Sequence, residues 1–239
     1  MQRDRLLPSL SDFIMLEHGL KVFWRALRAN WIPAIGIWIF GVLMVVDFHR
    51  GGCVVGMAEW VMTMRGRLGL LYPLLSMVIF AAILPSIAQI AIKPAERSMT
   101  LRRLPWIVPF WAYKGLEVEF LYKLQAHIWG TGADFWTVVA KVSVDQFVYN
   151  PCLGAITTIL YLRWVARRIG ELPQDTPVAP RGWYGLLVVP LLIATWALWV
   201  PAVSLVYLMP TPLQLPLSNL IMVLWAMMLV LLAREPGNT

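Results

Sequence analysis

Between Arg181 and Arg234 the chain runs for 52 residues, 182–233, without an Asp, Glu, Lys or Arg. A helix needs about 20 mainly apolar residues to cross the hydrocarbon of a bilayer. The run is too long for one crossing and long enough for two, at 184–208 and 213–233. Pro210, Pro212 and Pro216, poorly suited to a helix interior, mark a tight turn between them.

Three further uncharged stretches obey the same length rule: 29–46 with 18 residues, 68–92 with 25 and 146–162 with 17. Of the 239 residues, 59% are apolar and 14% charged, where soluble domains have roughly 45–50% and about 25%. A water-soluble fold cannot hide that much apolar surface. Thirteen tryptophans and seven tyrosines suit the two bilayer interfaces. The sequence therefore predicts an all-α fold, a polytopic transmembrane helical bundle of five to six membrane helices, as one integral membrane domain over 1–239.

The sixth helix is 104–124, which begins apolar at Leu104 and then carries Lys114, Glu117, Glu119 and Lys123. Lys and Arg concentrate on the cytoplasmic side of membrane proteins. Five crossings divide the basic residues 12 to 8, whereas six divide them 14 to 5 with Lys114 inside the span. The sharper asymmetry favours six, with both termini and 163–181 cytoplasmic and 47–67 on the other side. A re-entrant segment shielded by its neighbours is the alternative.

The net charge of +7 lies mainly between apolar spans, with no Lys/Arg run interleaved with aromatics, so no nucleic acid is expected as a partner. The expected partners are the lipid bilayer, anionic lipid headgroups and further copies of the chain as a homo-oligomer. Residues 1–28 are charged and amphipathic and lack the uninterrupted apolar core of a secretory signal. Cys53 and Cys152 are too few for a disulfide framework or a zinc site. His18, His49 and His127 have no metal-ligand spacing, and no metal or cofactor is expected.

The most informative stretch is KVSVDQFVYNPC, Lys141 to Cys152. Lys141 and Asp145 stand four apart, on one helical face, and are expected to pair. Pro151 withholds the N–H that the carbonyl of Phe147 would accept in an α-helix, and Gln146 and Asn150 are expected to serve that carbonyl. An ionisable group beside a broken membrane helix points to a functional site; the alternative is glue between helices. Glu117 and Glu119 point about 200° apart on a helix and cannot serve one substrate atom. Glu119 and Lys123 instead form an i,i+4 pair. Ser86 and Gln89 are expected to hydrogen-bond to neighbouring helices. No catalytic residue is assigned.

Lys-x3-Asp-Gln-x4-Pro before an apolar helix, here Lys141, Asp145, Gln146 and Pro151, resembles the signature of the Mpv-seventeen family, which includes the peroxisomal membrane protein of twenty-two kilodaltons. A C-terminal element is similar as well, with Pro210, Gln214, Asn219, Trp225 and Leu229 at the family's intervals and Gln214 where the family has arginine. Trp24, Pro33, Gly41 and Asp47 resemble its first helix, and Gly115 and Tyr122 the region before the Asp-Gln pair. The family's Asn-Phe pair has no counterpart, its Trp-Pro stands as Trp199-Val200-Pro201, and 68–92 is an extra helix beside the usual four. The resemblance covers about residues 115–233 and implies an integral protein of a bacterial inner membrane, or of a peroxisomal or mitochondrial inner membrane in a eukaryote. It also implies a pore or channel for small solutes, which the missing arginine and Asn-Phe pair put in question.

Two functions remain open. A small-solute channel would gather polar residues from several helices around one cavity. A non-conducting structural or assembly component of the membrane would bury the same residues dry. An intramembrane enzyme is disfavoured, since no acid/base pair or metal constellation is visible.

Overall fold

The computed structural model describes residues 35–232, with side chains to Val223 except at Pro190, Ala194 and Ala197. The N-terminal segment, Trp24, Pro33 and the start of the first span at 29–34 lie outside the described residues, as do the side chains of Trp225 and Leu229. Every regular element among the described residues is helical.

Helix α1 is Ile35–His49 and α2 is Cys53–Leu68, bent from it by 87°. The stretch 47–67, expected to be a loop, is thus mostly helix. Asp47 sits in the last turn of α1, and its Oδ2 accepts the Val54 N–H at 2.7 Å, which satisfies an orphan donor in the first turn of α2. Gly51, at φ 73°, makes the corner.

Helix α3 is Leu71–Ile92. Helix α4, Arg97–Trp129, is 33 residues long and extends the expected span 104–124 at both ends. Helix α5 covers 135–168 as Phe135–Val144, a π-helical stretch Asp145–Gly154 and Ala155–Arg168. Arg163, Arg167 and Arg168 therefore belong to its last turns, and the loop expected at 163–181 shrinks to 169–183. Helix α6 covers 184–207, starting with the π stretch Tyr184–Val188, and α7 is Thr211–Leu232. The turn between these two falls at 208–210, ahead of the expected 210–216. Pro212 stands in the first turn of α7, where a proline's missing N–H costs nothing, and Pro216 one turn further in.

Among the described residues, three stretches are wound as π-helix, Val78–Ile83, Asp145–Gly154 and Tyr184–Val188. Each contains a proline or ends two residues before one: Pro85, Pro151 and Pro190. A proline ring clashes with the carbonyl of residue i−4, and locally widening the helix moves that carbonyl away.

The first half of α7 is the centre of the bundle. Leu213, Leu215, Leu217 and Ile221 are all buried there, among α2, α3, α4 and α6. A helix buried on nearly every face needs no amphipathic pattern, and Gln214, Ser218 and Asn219 are buried there along with the leucines. Helices α3 and α4 cross closely at Gly115, where a Cβ would lie 2.1 Å from the carbonyl oxygen of Pro73. Helix α1 docks on α6, with the Trp38 indole donating to the carbonyl of Leu198 at 3.2 Å and Gly41 facing Leu205. Outward, α3 shows Leu71, Leu75, Ile79, Ile83 and Ile87, one every four residues and 38–58% exposed.

Among the described residues, α3 alone is long and apolar enough to cross a membrane, and counting two bent pairs as broken spans raises the number to three. The pairs are α1 with α2, and Tyr184–Ile193 with Leu198–Tyr207 within α6.

Candidate functional site

Five helices meet around a cavity of about 210 Å³. Its polar wall is Lys114 and Tyr122 from α4, Asp145, Gln146, Tyr149, Asn150 and Thr158 from α5, Thr195 from α6 and Ser218 from α7. Its apolar wall includes Met77, Trp111, Leu121, Trp199 and Val203. Asp145, Gln146 and Asn150 of the sequence-predicted element thus share one space, while Lys141 and Pro151 stand outside its lining.

Asp145 is buried and accepts two hydrogen bonds, from the Tyr207 hydroxyl at 2.7 Å and from Gln146 Nε2 at 2.9 Å. Tyr207 in turn accepts from Gln125 Nε2 at 2.5 Å, so α4, α6 and α5 are joined by one chain of donors. The expected pairing of Lys141 with Asp145 is not formed. Lys141, 1% exposed, holds its ammonium over the Tyr207 ring at 5.8 Å from the centroid. The backbone is still α-helical between them, with the Asp145 N–H on the Lys141 carbonyl, and it is the Tyr207 side chain of α6 that takes both partners: its hydroxyl the carboxylate, its ring the ammonium.

The carbonyl left free by Pro151 is also not the expected one. In the i→i+5 register, the N–H that Pro151 lacks would have reached Gln146 rather than Phe147. That Gln146 carbonyl accepts the Trp196 indole N–H at 2.9 Å, so a side chain of α6 satisfies it instead of Gln146 or Asn150. The carbonyl of Pro151 accepts from the Tyr184 hydroxyl at 3.1 Å.

Across the cavity, Lys114 is buried with its three N–H groups engaged: Glu117 at 2.7 Å, Thr157 Oγ at 2.7 Å and the Gly154 carbonyl at 3.5 Å. Glu117 also accepts from the Tyr149 hydroxyl. This buried pair went unread in the sequence as part of a site, although Lys114 and Glu117, three apart in an apolar stretch, were its signal. Tyr207, Gln125 and Trp196 carried no such signal, because their partners are 62, 82 and 50 residues away. Glu119 pairs with Lys123 at 3.2 Å as the spacing predicts, and with Arg65 of α2 at 2.6 Å.

The start of α5 is fixed by Asp134, whose Oδ1 accepts the Thr137 N–H at 3.1 Å. Hydrogen bonds from the Thr137 side chain and backbone hold that carboxyl below the usual aspartate range. Away from the cavity, Gln89 bonds Glu96 in the turn after α3 at 2.8 Å rather than a neighbouring helix, and this bond lowers the Glu96 pKa.

The C-terminal element lies apart from the cavity. Pro210 is exposed in the turn; Gln214 is buried and donates to the Met209 carbonyl at 3.0 Å; Asn219 is buried and donates to Ser76 Oγ of α3 at 3.0 Å. No family model matches the chain, and neither a curated protein nor a solved structure does.

Proposed function

We propose that the chain is a polytopic integral membrane protein of five to six spans, related to the Mpv-seventeen family, whose central cavity serves the passage of a small polar solute. The observation that carries this reading is the convergence of polar side chains from four helices on one cavity, the arrangement that separates a solute path from dry interhelical glue. The lipid-facing part of the reading rests on α3, whose exposed aliphatic stripe from Leu71 to Ile87 extends about 24 Å at 1.5 Å per residue. Water does not favour such a face, and the hydrocarbon of a bilayer does. In this reading both termini are cytoplasmic, by the 14-to-5 division of basic residues, in a bacterial inner membrane or the matching organellar one.

A structural role has one observation in its favour: Gln214 and Asn219 are buried on single partners, as helix-joining residues are. Recording from purified protein in a planar bilayer separates the two. Unitary conductance that Thr158→Val or Thr195→Val alters is the expected outcome. Silence from folded protein would leave the structural role.

A further inference from the structure

We infer that the cavity binds a small organic ammonium ion, with Asp145 as its counter-charge; this rests on reading the cavity as a solute site. Part of the cavity wall is hydrogen-bond acceptors whose own donors are already engaged, beside the Asn150 amide and the Ser218 and Tyr122 hydroxyls. Thr158 donates to the Gly154 carbonyl at 2.7 Å and Thr195 to the Leu192 carbonyl at 3.1 Å, so each leaves oxygen lone pairs over. Tyr149 donates to Glu117, and Lys114 has no N–H to spare.

Two further observations set the sign of the ligand. Asp145 has no ion-pair partner among the described residues, while Lys114 is matched by Glu117. Lys141, outside the lining, holds its ammonium over the Tyr207 ring and forms no ion pair with Asp145. Gln146, 3% exposed and in the cavity lining, has an Oε1 that no donor reaches. A buried acceptor without a partner costs free energy that a ligand N–H can recover. The wall also holds Trp111 and Trp199, whose indole rings attract organic cations. A primary ammonium on a short apolar stem meets all of these demands: charge for Asp145, N–H for Gln146 and a hydrocarbon surface for the indoles.

Saturation-transfer NMR on the full chain in nanodiscs, with n-propylammonium, n-propanol and propionate as size-matched probes, tests the assignment. Propylammonium should bind, propionate should not, and propanol should bind about tenfold or more weakly, the worth of one charge-assisted hydrogen bond. Asp145→Asn, which keeps the shape, should abolish the preference for the cation. Tyr207→Phe, which keeps the charge and removes one donor from the carboxylate, should retain it or strengthen it. Equal binding of all three probes, a preference for propionate, or an unchanged preference in folded Asp145→Asn would overturn the inference. So would propylammonium binding abolished by potassium at equal concentration, the mark of a bare-cation site. Should Asp145→Asn not fold, loss of the preference in folded Tyr207→Phe would overturn it as well. Conductance without ammonium binding would remove this assignment and leave the channel; ammonium binding without conductance would do the reverse.

Discussion

At the scale of single residues, one substitution isolates how α5 tolerates its proline. The Trp196 indole serves the carbonyl that Pro151 leaves free. Trp196→Phe should therefore destabilise the protein by about 1–3 kcal/mol, the range for a buried acceptor stripped of its donor. Adding Pro151→Ala restores a backbone N–H, and the double variant should recover part of that loss in thermal unfolding. Additive losses would show that the indole matters only by its bulk. Asp145 is the other residue to measure. A buried carboxylate costs free energy unless hydrogen bonds or a counter-charge offset the lost hydration, and here Tyr207 and Gln146 rather than Lys141 do so. Lys141→Ala should accordingly leave the state of Asp145 untouched, whereas Tyr207→Phe should change it; the carboxyl stretch in infrared difference spectra reads both. The residue types of this site were legible in the sequence, since a charge beside Asn-Pro in an apolar segment is rare. The partners were not, because Tyr207 and Trp196 come from another helix, which i,i+4 reasoning cannot see, and because the π stretch shifts the carbonyl freed by Pro151 from Phe147 to Gln146.

At the scale of elements, the close crossing of α3 and α4 depends on a missing side chain. A Cβ at Gly115 would overlap the carbonyl of Pro73 at 2.1 Å, and backbone on both sides leaves no soft way out. Gly115→Ala should cost about 1–3 kcal/mol, as overpacking does. Gly56→Ala on exposed α2, where nothing lies within 4 Å, should instead gain about 0.5–1 kcal/mol in thermal unfolding. The start of α5 adds a pH dependence. Because Asp134 has a lowered pKa when folded, its contribution is complete above the unfolded aspartate pKa and is lost as pH falls through the folded value. Amide exchange at 136–138 should speed up over that acidic window in the wild type, and Asp134→Asn should flatten the response. Helix positions were largely legible from charge-free runs, which is why α3, α6 and α7 begin and end within a few residues of expectation. Helix α2 and the outer turns of α4 and α5 were not, since charges such as Arg65 and Arg168 are as compatible with a helix as with a loop once water or an ion pair serves them.

At the scale of the whole molecule, the bundle has a polar cavity inside and an exposed aliphatic stripe on α3 outside. The charge count that favoured six crossings predicts cytoplasmic labelling of a cysteine at residue 175 and labelling from the opposite side at residue 55. The interior claim is tested most directly by thiol accessibility in proteoliposomes, with Cys53 and Cys152, both exposed, first replaced by serine. Thr195→Cys, on the cavity wall, should react with a charged water-soluble methanethiosulfonate and thereby block solute flux, while Ile79→Cys on the outward stripe should stay unmodified. An unreactive Thr195→Cys, or a reactive Ile79→Cys, in folded protein would contradict the account.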